Sequence, residues 1–169
     1  MRVLSFVVLT LVLAGCATAP AGNGSSGAAS SNTATPTQTQ SFVAALEAKR
    51  GSALTLAERL QVQGLTGTAK VGLNNAQNNF LNKVGAQVGL NGAVIAAMFP
   101  EAGKPLSENA AVAKIESSLG KKLTVADQTA VKAATALRNN SLASLKTGLA
   151  ASIGSRIGMS TDIVLALMP

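Results

Sequence analysis

Histidine, tyrosine and tryptophan are absent from this 169-residue chain, and cysteine occurs once, at position 16. Without histidine there is no usual general base, no histidine zinc ligand and no Ser–His or Cys–His nucleophilic pair. A single cysteine forms no disulfide within the chain, so cysteine pairing says nothing about the redox compartment. The sequence also lacks a phosphate-binding glycine loop, a calcium loop and zinc-ligand spacing. It therefore argues against the common kinds of catalytic and metal site, and it predicts no cofactor.

The first sixteen residues have the layout of an export signal. Met1 and Arg2 give a short positive start, an apolar run follows, and the run ends at Leu13-Ala14-Gly15-Cys16. The run is short for a membrane span and has the proportions of a secretory signal. Its last four residues resemble the lipobox of bacterial lipoproteins.

The resemblance implies that residues 1–15 are a signal peptide and that Cys16 becomes the lipid-modified N-terminus. It would carry a thioether-linked diacylglycerol and an amide-linked acyl chain such as palmitate, and several acyl chains suffice for stable anchoring. Ala17, which follows the cysteine, resembles the outer-membrane sorting pattern of Gram-negative cells. We therefore expect an anchored outer-membrane protein that faces the periplasm. The alternative is an ordinary signal peptide with an incidental cysteine.

Residues 16–41 are expected to form the lipidated N-terminus and a flexible linker, because the part after Cys16 has no charged and no large apolar side chain. The remaining body, residues 42–169, is long enough for one domain. The chain has 14 lysines and arginines against 7 aspartates and glutamates, which favours an anionic surface as a neighbour, although solubility is the simpler interpretation of the charge. An envelope protein is the other candidate partner. Nucleic acid is disfavoured, because stacking aromatic residues and arginine clusters are missing.

The body contains an internal similarity at an offset of 69 residues. This offset aligns residues 42–100 with 111–169 without a gap, and 14 of the 59 pairs are identical. The aligned glycines and the shared proline at the two ends would not readily coincide by chance. We therefore predict two tandem repeats, 42–100 and 111–169, packed as one domain.

Capping residues and apolar spacing predict an all-α body with about four helices in each repeat. Each repeat has a serine N-cap, a helix-ending glycine, a threonine N-cap with a carboxylate three residues on, and a polar cap before a short apolar helix. These positions are Ser41 and Ser107, Gly51 and Gly120, Thr55 and Thr124, and Asn91 and Ser160. In each repeat, an apolar stripe with spacing 3, 4, 4, 4 lies between the threonine cap and the polar cap of the short apolar helix. This spacing is typical of the buried face of a helix. Its members are Leu73, Ala76, Phe80, Val84 and Val88 in one repeat, and Leu142, Leu145, Leu149, Ile153 and Ile157 in the other.

Two glycine pairs stand at the ends of these stripes, Gly85 with Gly89 and Gly154 with Gly158. One helical turn apart, such glycines permit close backbone approach, so we interpret them as helix-packing or helix-ending positions. Membrane insertion or self-association is the functional alternative. Nearby charges and the short apolar length argue against a transmembrane helix.

Glu47 and Glu116 occupy equivalent positions in the repeats. A pseudo-twofold axis that joined them would create the carboxylate pair that acid/base chemistry on sugars requires, although ion pairing near a helix end is the simpler interpretation. The sequence therefore predicts a membrane-anchored, non-catalytic helical domain that binds or scaffolds at the envelope. One alternative is a self-associating or membrane-perturbing module that uses residues 142–168. The other is a cell-wall-active enzyme that uses the two glutamates.

Overall fold

In the computed structural model, residues 37–168 are described, and they form six α-helices without a strand among them. The helices are α1 Gln38–Arg50, α2 Leu56–Val88, α3 Gly92–Met98, α4 Glu108–Leu119, α5 Val125–Ile157 and α6 Thr161–Leu167. The all-α prediction is therefore confirmed for this part of the chain. The predicted signal peptide, the predicted lipidation site Cys16 and most of the predicted linker lie outside the described residues.

The number of helices differs from the sequence prediction, which expected about eight. The reason is that α2 and α5 are single helices of 33 residues each. In α2 the glycines at 64, 67 and 72 do not interrupt the helix. A glycine inside a helix costs only about 1 kcal/mol relative to alanine, so long packing along a partner helix outweighs it.

The start of α1 also differs from the prediction. Thr37, and not Ser41, is the N-cap: its hydroxyl accepts a hydrogen bond from the Gln40 N–H, while the Gln40 side chain accepts one from the Thr37 N–H. This reciprocal capping box satisfies two free N–H groups, which Ser41 alone could not do. Ser41 instead lies inside the helix and donates its hydroxyl to the Thr37 carbonyl. The helix thus takes in residues 38–41 of the predicted linker.

The other predicted caps are found at the expected positions. Thr55, Asn91, Ser107 and Thr124 each accept an N–H bond at the start of a helix, while Ser160 precedes α6 without a side-chain cap bond. The helices α1 and α4 end at Gly51 and Gly120, whose φ angles lie in the left-handed region.

The two long helices pack antiparallel. Gln87 near the end of α2 donates to Asp127 near the start of α5, with an Nε2–Oδ1 distance of 2.7 Å. Towards the middle, Gly72 of α2 faces Leu145 of α5. A contact that lies later in α2 is thus made with a residue that lies earlier in α5, which is the pattern of antiparallel helices.

The core consists of two apolar clusters, one towards each end of the long pair. The first joins the C-terminal part of α2 to α3, α4 and the start of α5, and includes Phe80, Val84, Ile95, Ile115 and Val131. The second joins α1, the start of α2, the end of α5 and α6, and includes Leu46, Val62, Ile153, Ile157 and Val164. Within residues 142–168, the buried side chains of Ala150, Ile153, Ile157 and Val164 belong to the second cluster, whereas Ile163 and Leu165 are exposed. No helix between residues 37 and 168 has both the length and the apolarity that crossing a bilayer requires.

Candidate functional site

The glycine pair of α2 ends that helix. Gly89 has a φ of 68° and donates its N–H to the Gly85 carbonyl, and the Leu90 N–H donates to the same carbonyl at 3.1 Å. A Cβ atom on Gly85 would lie 2.9 Å from the Leu90 carbonyl oxygen. Glycine is needed here because the chain folds back over the last turn of the helix.

The glycine pair of α5 does the same. Gly158 has a φ of 70° and donates to the Gly154 carbonyl, and a Cβ on Gly154 would come within 2.5 Å of the Met159 carbonyl oxygen. The close contacts are made with the next residues of the chain and not between α2 and α5. Of the two structural interpretations of these glycines, the geometry supports helix termination.

Each of the two glutamates that the sequence analysis singled out accepts hydrogen bonds from the turn that follows its own helix. Glu47 accepts the Leu54 N–H at 3.0 Å and the Arg59 Nε at 2.8 Å. In the same manner Glu116 accepts the Leu123 N–H at 3.1 Å, and it also accepts hydrogen bonds from Lys122 and Gln128. The Lys122 ammonium, followed by the Leu123 N–H, lowers the pKa of Glu116 below its ordinary value.

The structure does not bring the two glutamates together. Glu47 is bonded to Arg59 near the start of α2, whereas Glu116 is bonded to Gln128 near the start of α5. The starts of antiparallel helices of 33 residues lie at opposite ends, which separates the carboxylates by on the order of 40 Å. A carboxylate pair that acts on a glycosidic bond needs a separation of about 5–10 Å. Within one molecule the two glutamates therefore do not form such a pair. Within residues 37–168 no group of three or more cysteines, aspartates or glutamates is arranged to hold a metal ion.

A buried cation that the sequence analysis missed lies in the middle of α5. The Arg138 side chain is only 4% exposed, and its guanidinium lies over the ring of Phe80, 5.7 Å from the centroid. Its Nε donates to Gln77 Oε1 at 2.6 Å, and its two Nη atoms donate to the carbonyls of Lys104 at 2.9 Å and Glu101 at 2.5 Å. Burial lowers the pKa of Arg138 from its ordinary value. The 69-residue offset pairs Arg138 with Ala69, so the repeat pattern gave no signal for it.

Arg138 is one of three side chains that hold the connection between α3 and α4. Gln77 of α2 donates to the Phe99 carbonyl at 2.5 Å. Asn139 of α5 accepts the Leu106 N–H at 3.0 Å and donates to the Leu106 carbonyl at 2.8 Å. Residues 99–106, which we call the α3–α4 connection, are thus bound through their backbone by side chains of both long helices.

An open groove lies beside the start of α1, between the middle parts of α2 and α5. It has a volume of about 490 Å³, which is within the range of small-ligand sites. Aliphatic and aromatic side chains provide much of its lining, two lysines add positive charge, and none of the described residues that line it is acidic. The lining residues used below are Phe42, Ala69, Lys70, Leu73, Lys146 and Leu149.

This groove was also missed from the sequence, because its residues come from distant parts of the chain. Thr37 at the start of α1, Lys70 of α2, Gly103 of the α3–α4 connection and Lys146 of α5 all contribute to it. Only Thr37 belongs to a local motif, the capping box of α1, and that motif gives no sign of a groove. No family model matches this chain, and neither a curated protein nor a solved structure is detectably similar to it.

Proposed function

We propose that this chain is a lipid-anchored, non-catalytic binding protein of the bacterial envelope, with the groove beside α1 as its binding site. The observation that carries the proposal is the groove itself, a cavity of about 490 Å³ whose described lining includes aliphatic and aromatic side chains and the exposed Lys70. Apolar contacts supply affinity, and the Lys70 ammonium orients a polar or anionic group of the ligand. Binding of this kind needs no reactive side chain.

The first described residue of the chain, Thr37, lies beside the groove. Thr37 is the N-cap of α1 and also lines the groove. The chain that leads back to the lipobox-like segment, Leu13-Ala14-Gly15-Cys16, therefore leaves the domain beside the groove. An outer-membrane anchor with the domain in the periplasm would keep the groove close to other envelope components.

We also propose that the domain is a tandem duplication of residues 42–100 and 111–169, with three helices in each copy. The first residues of α2 and α5, Leu56 and Val125, are 69 positions apart, and so are their last residues. The helices α3 and α6 keep the same offset. Fully buried residues also correspond, for example Leu46 with Ile115 and Val62 with Val131. The matching glutamate bonds to Leu54 and Leu123 support the same interpretation.

A pair of photo-crosslinking variants in cells tests whether the groove is a binding site. A photoreactive residue at Asn74, which lines the groove, is compared with one at the exposed Gly148, which does not. We expect a reproducible crosslinked species, resolved by mass spectrometry, from position 74 only. Equal crosslinking from both positions, or none from either, would contradict the proposed function.

The anchor is tested separately by replacing Cys16. In the Cys16→Ser variant we expect the protein to leave the membrane fraction, because no acyl chain can be attached. The measurement is fractionation followed by immunoblotting, with globomycin treatment of the unchanged protein as a control for signal processing. A variant that stays in the membrane fraction would refute lipid anchoring.

A further inference from the structure

Part of the groove wall is formed by the α3–α4 connection, through Ala102 and Gly103. Residues 100–106 contain neither helix nor strand. Among the described residues, no backbone–backbone hydrogen bond involves this stretch. The position of the wall therefore depends on the side chains that bind the connection.

Arg138 binds the connection on both sides of the wall residue Gly103. Its guanidinium donates to the Glu101 carbonyl at 2.5 Å and to the Lys104 carbonyl at 2.9 Å. The Ala102 carbonyl also accepts from the guanidinium, at 3.4 Å. A guanidinium is suited to this task because it presents five N–H donors in a fixed, planar arrangement. One side chain thus binds the backbone before and after Gly103.

The guanidinium is itself held by the long helices. Its Nε donates to Gln77 of α2 at 2.6 Å, and the group lies over the Phe80 ring of the same helix. Arg138 belongs to α5, so its head group is fixed between the two helices whose middle parts line the groove. The wall is therefore positioned relative to the rest of the groove through this one side chain.

Apolar burial contributes little to the position of the wall. Ala102 and Gly103 are half-buried, and the residues on either side of them are exposed, namely Pro100, Glu101, Lys104 and Pro105. Side chains that stay in water gain little from the hydrophobic effect. Without the bonds of Arg138, the backbone between residues 100 and 105 would recover much of its conformational freedom. The ends of the connection would remain bound, by Gln77 at Phe99 and by Asn139 at Leu106.

We infer that Arg138 is a positioning residue of the groove, which holds Ala102 and Gly103 in place as its wall. The inference rests on the proposed binding function and names the residue that shapes the site. Loss of the side chain should leave the helices formed and release the wall. A ligand would then have to order the wall on binding, and this entropic cost weakens affinity.

A distance measurement without ligand tests the position of the wall. Spin labels are introduced as noncanonical amino acids at Asn74 and Gly103 of the full chain, and the distance between them is measured by double electron–electron resonance. Both positions line the groove, and a Cβ on Gly103 would meet nothing within 4 Å. We expect a narrow distance distribution in otherwise unchanged protein and a broad one in Arg138→Met. Arg138→Lys should be intermediate, because an ammonium keeps the charge but lacks the planar set of donors.

The matched control is Gly154→Ala, which should destabilise the fold at a position outside the groove. Its distance distribution should stay narrow, which separates a loss of stability from a loss of position. If Arg138→Met does not fold by circular dichroism, Arg138→Lys is compared with the control instead.

Photo-crosslinking from position 74 in cells tests the effect on binding. Relative to otherwise unchanged protein at equal abundance, Arg138→Met should lower the crosslink yield about tenfold or more, and Gly154→Ala should leave it unchanged. A second variant, Gly103→Leu, keeps the bonds of Arg138 and adds a large side chain to the wall. It should also lower the yield, because the wall residue contacts the ligand.

The remaining outcomes overturn the inference. The wall does not depend on Arg138 if the distance distribution stays narrow in its folded variants, or if Gly154→Ala broadens it equally. If position 74 crosslinks equally well with and without the Arg138 side chain, or despite Gly103→Leu, the inference fails and the binding function stands. If position 74 of otherwise unchanged protein does not crosslink, both fail.

Discussion

Replacing Arg138 by methionine removes a buried positive charge while it keeps a long apolar side chain at the same place. In the structure the guanidinium makes three short hydrogen bonds, to Gln77, Glu101 and Lys104. None of its hydrogen-bond partners among the described residues is a carboxylate, so backbone and amide oxygens, together with the face of the Phe80 ring, offset the loss of water around the charge. The substitution therefore measures how much these oxygens contribute to the stability of the fold.

The expected loss follows from two opposing contributions. Hydrogen bonds to a charged group are worth roughly 1.5–3 kcal/mol each, so three of them represent a gross loss of about 4–9 kcal/mol. Methionine avoids the cost of burying the guanidinium, and the carbonyls of Glu101 and Lys104 in the α3–α4 connection are close enough to the surface to regain water. We expect a net decrease of about 2–4 kcal/mol in the free energy of unfolding. This is a large fraction of the roughly 5–15 kcal/mol of a typical domain.

The assay is urea denaturation followed by circular dichroism at 222 nm, because the chain has no tryptophan or tyrosine for fluorescence. The matched control is Lys83→Met, the same kind of change at an exposed position of α2, and it should alter the free energy by less than about 0.5 kcal/mol. The double variant Gln77→Met/Arg138→Met should be less destabilised than the sum of the single variants, because the two side chains are directly bonded. If the urea midpoint of Arg138→Met equals that of the unchanged protein within error, the reasoning is refuted.

Two further predictions concern helix ends and acid stability. Gly154→Ala should lower the free energy of unfolding by about 1–3 kcal/mol, because its Cβ would meet the Met159 carbonyl, whereas Gly148→Ala, with open space around it, should raise it by about 0.5–1 kcal/mol. Urea midpoints that move in the same direction would contradict this. Since the pKa of Glu116 is lowered by folding, mainly by Lys122, its contribution is present above the ordinary pKa of 4.5 and is lost as the pH falls through the folded value. Glu116→Gln should therefore have a lower free energy of unfolding than the unchanged protein at neutral pH. In acid this difference between the two proteins should disappear. A gap of equal size at pH 3 and pH 7 would exclude this role.

The sequence predicted those parts of the fold that depend on neighbouring residues. The caps at Thr55 and Thr124 and the helix-ending Gly51 and Gly120 were expected, because each role depends only on residues within about one turn of the chain. The continuity of α2 as one helix of 33 residues was not expected, since about four helices were predicted in each repeat. It depends on packing against α5, a distant part of the chain, which outweighs the low helix propensity of glycine.

The candidate site could not be predicted in the same way. The residues that shape it, such as Lys70 and Lys146, are 76 positions apart and meet only because α2 and α5 run antiparallel. The role of Arg138 is equally non-local, since its carbonyl partners lie in the α3–α4 connection. The two glutamates attracted attention because they match in sequence. Their match reflects a shared structural role at the two turns and not a meeting of the carboxylates.

Under the proposed duplication, the positions that differ between the copies are more informative than those that agree. Both copies need a core, so Val62 and Val131 remain the same residue and are equally buried. Ala69 and Arg138 are under no such common demand, and they differ in size and charge. The arginine fixes the α3–α4 connection, and a loose connection would leave the second copy poorly joined to the first. The methyl group of Ala69 forms no hydrogen bond, and it lines the groove instead. The copies therefore agree where both need a buried core, and they differ where one copy makes a structural contact that the other lacks.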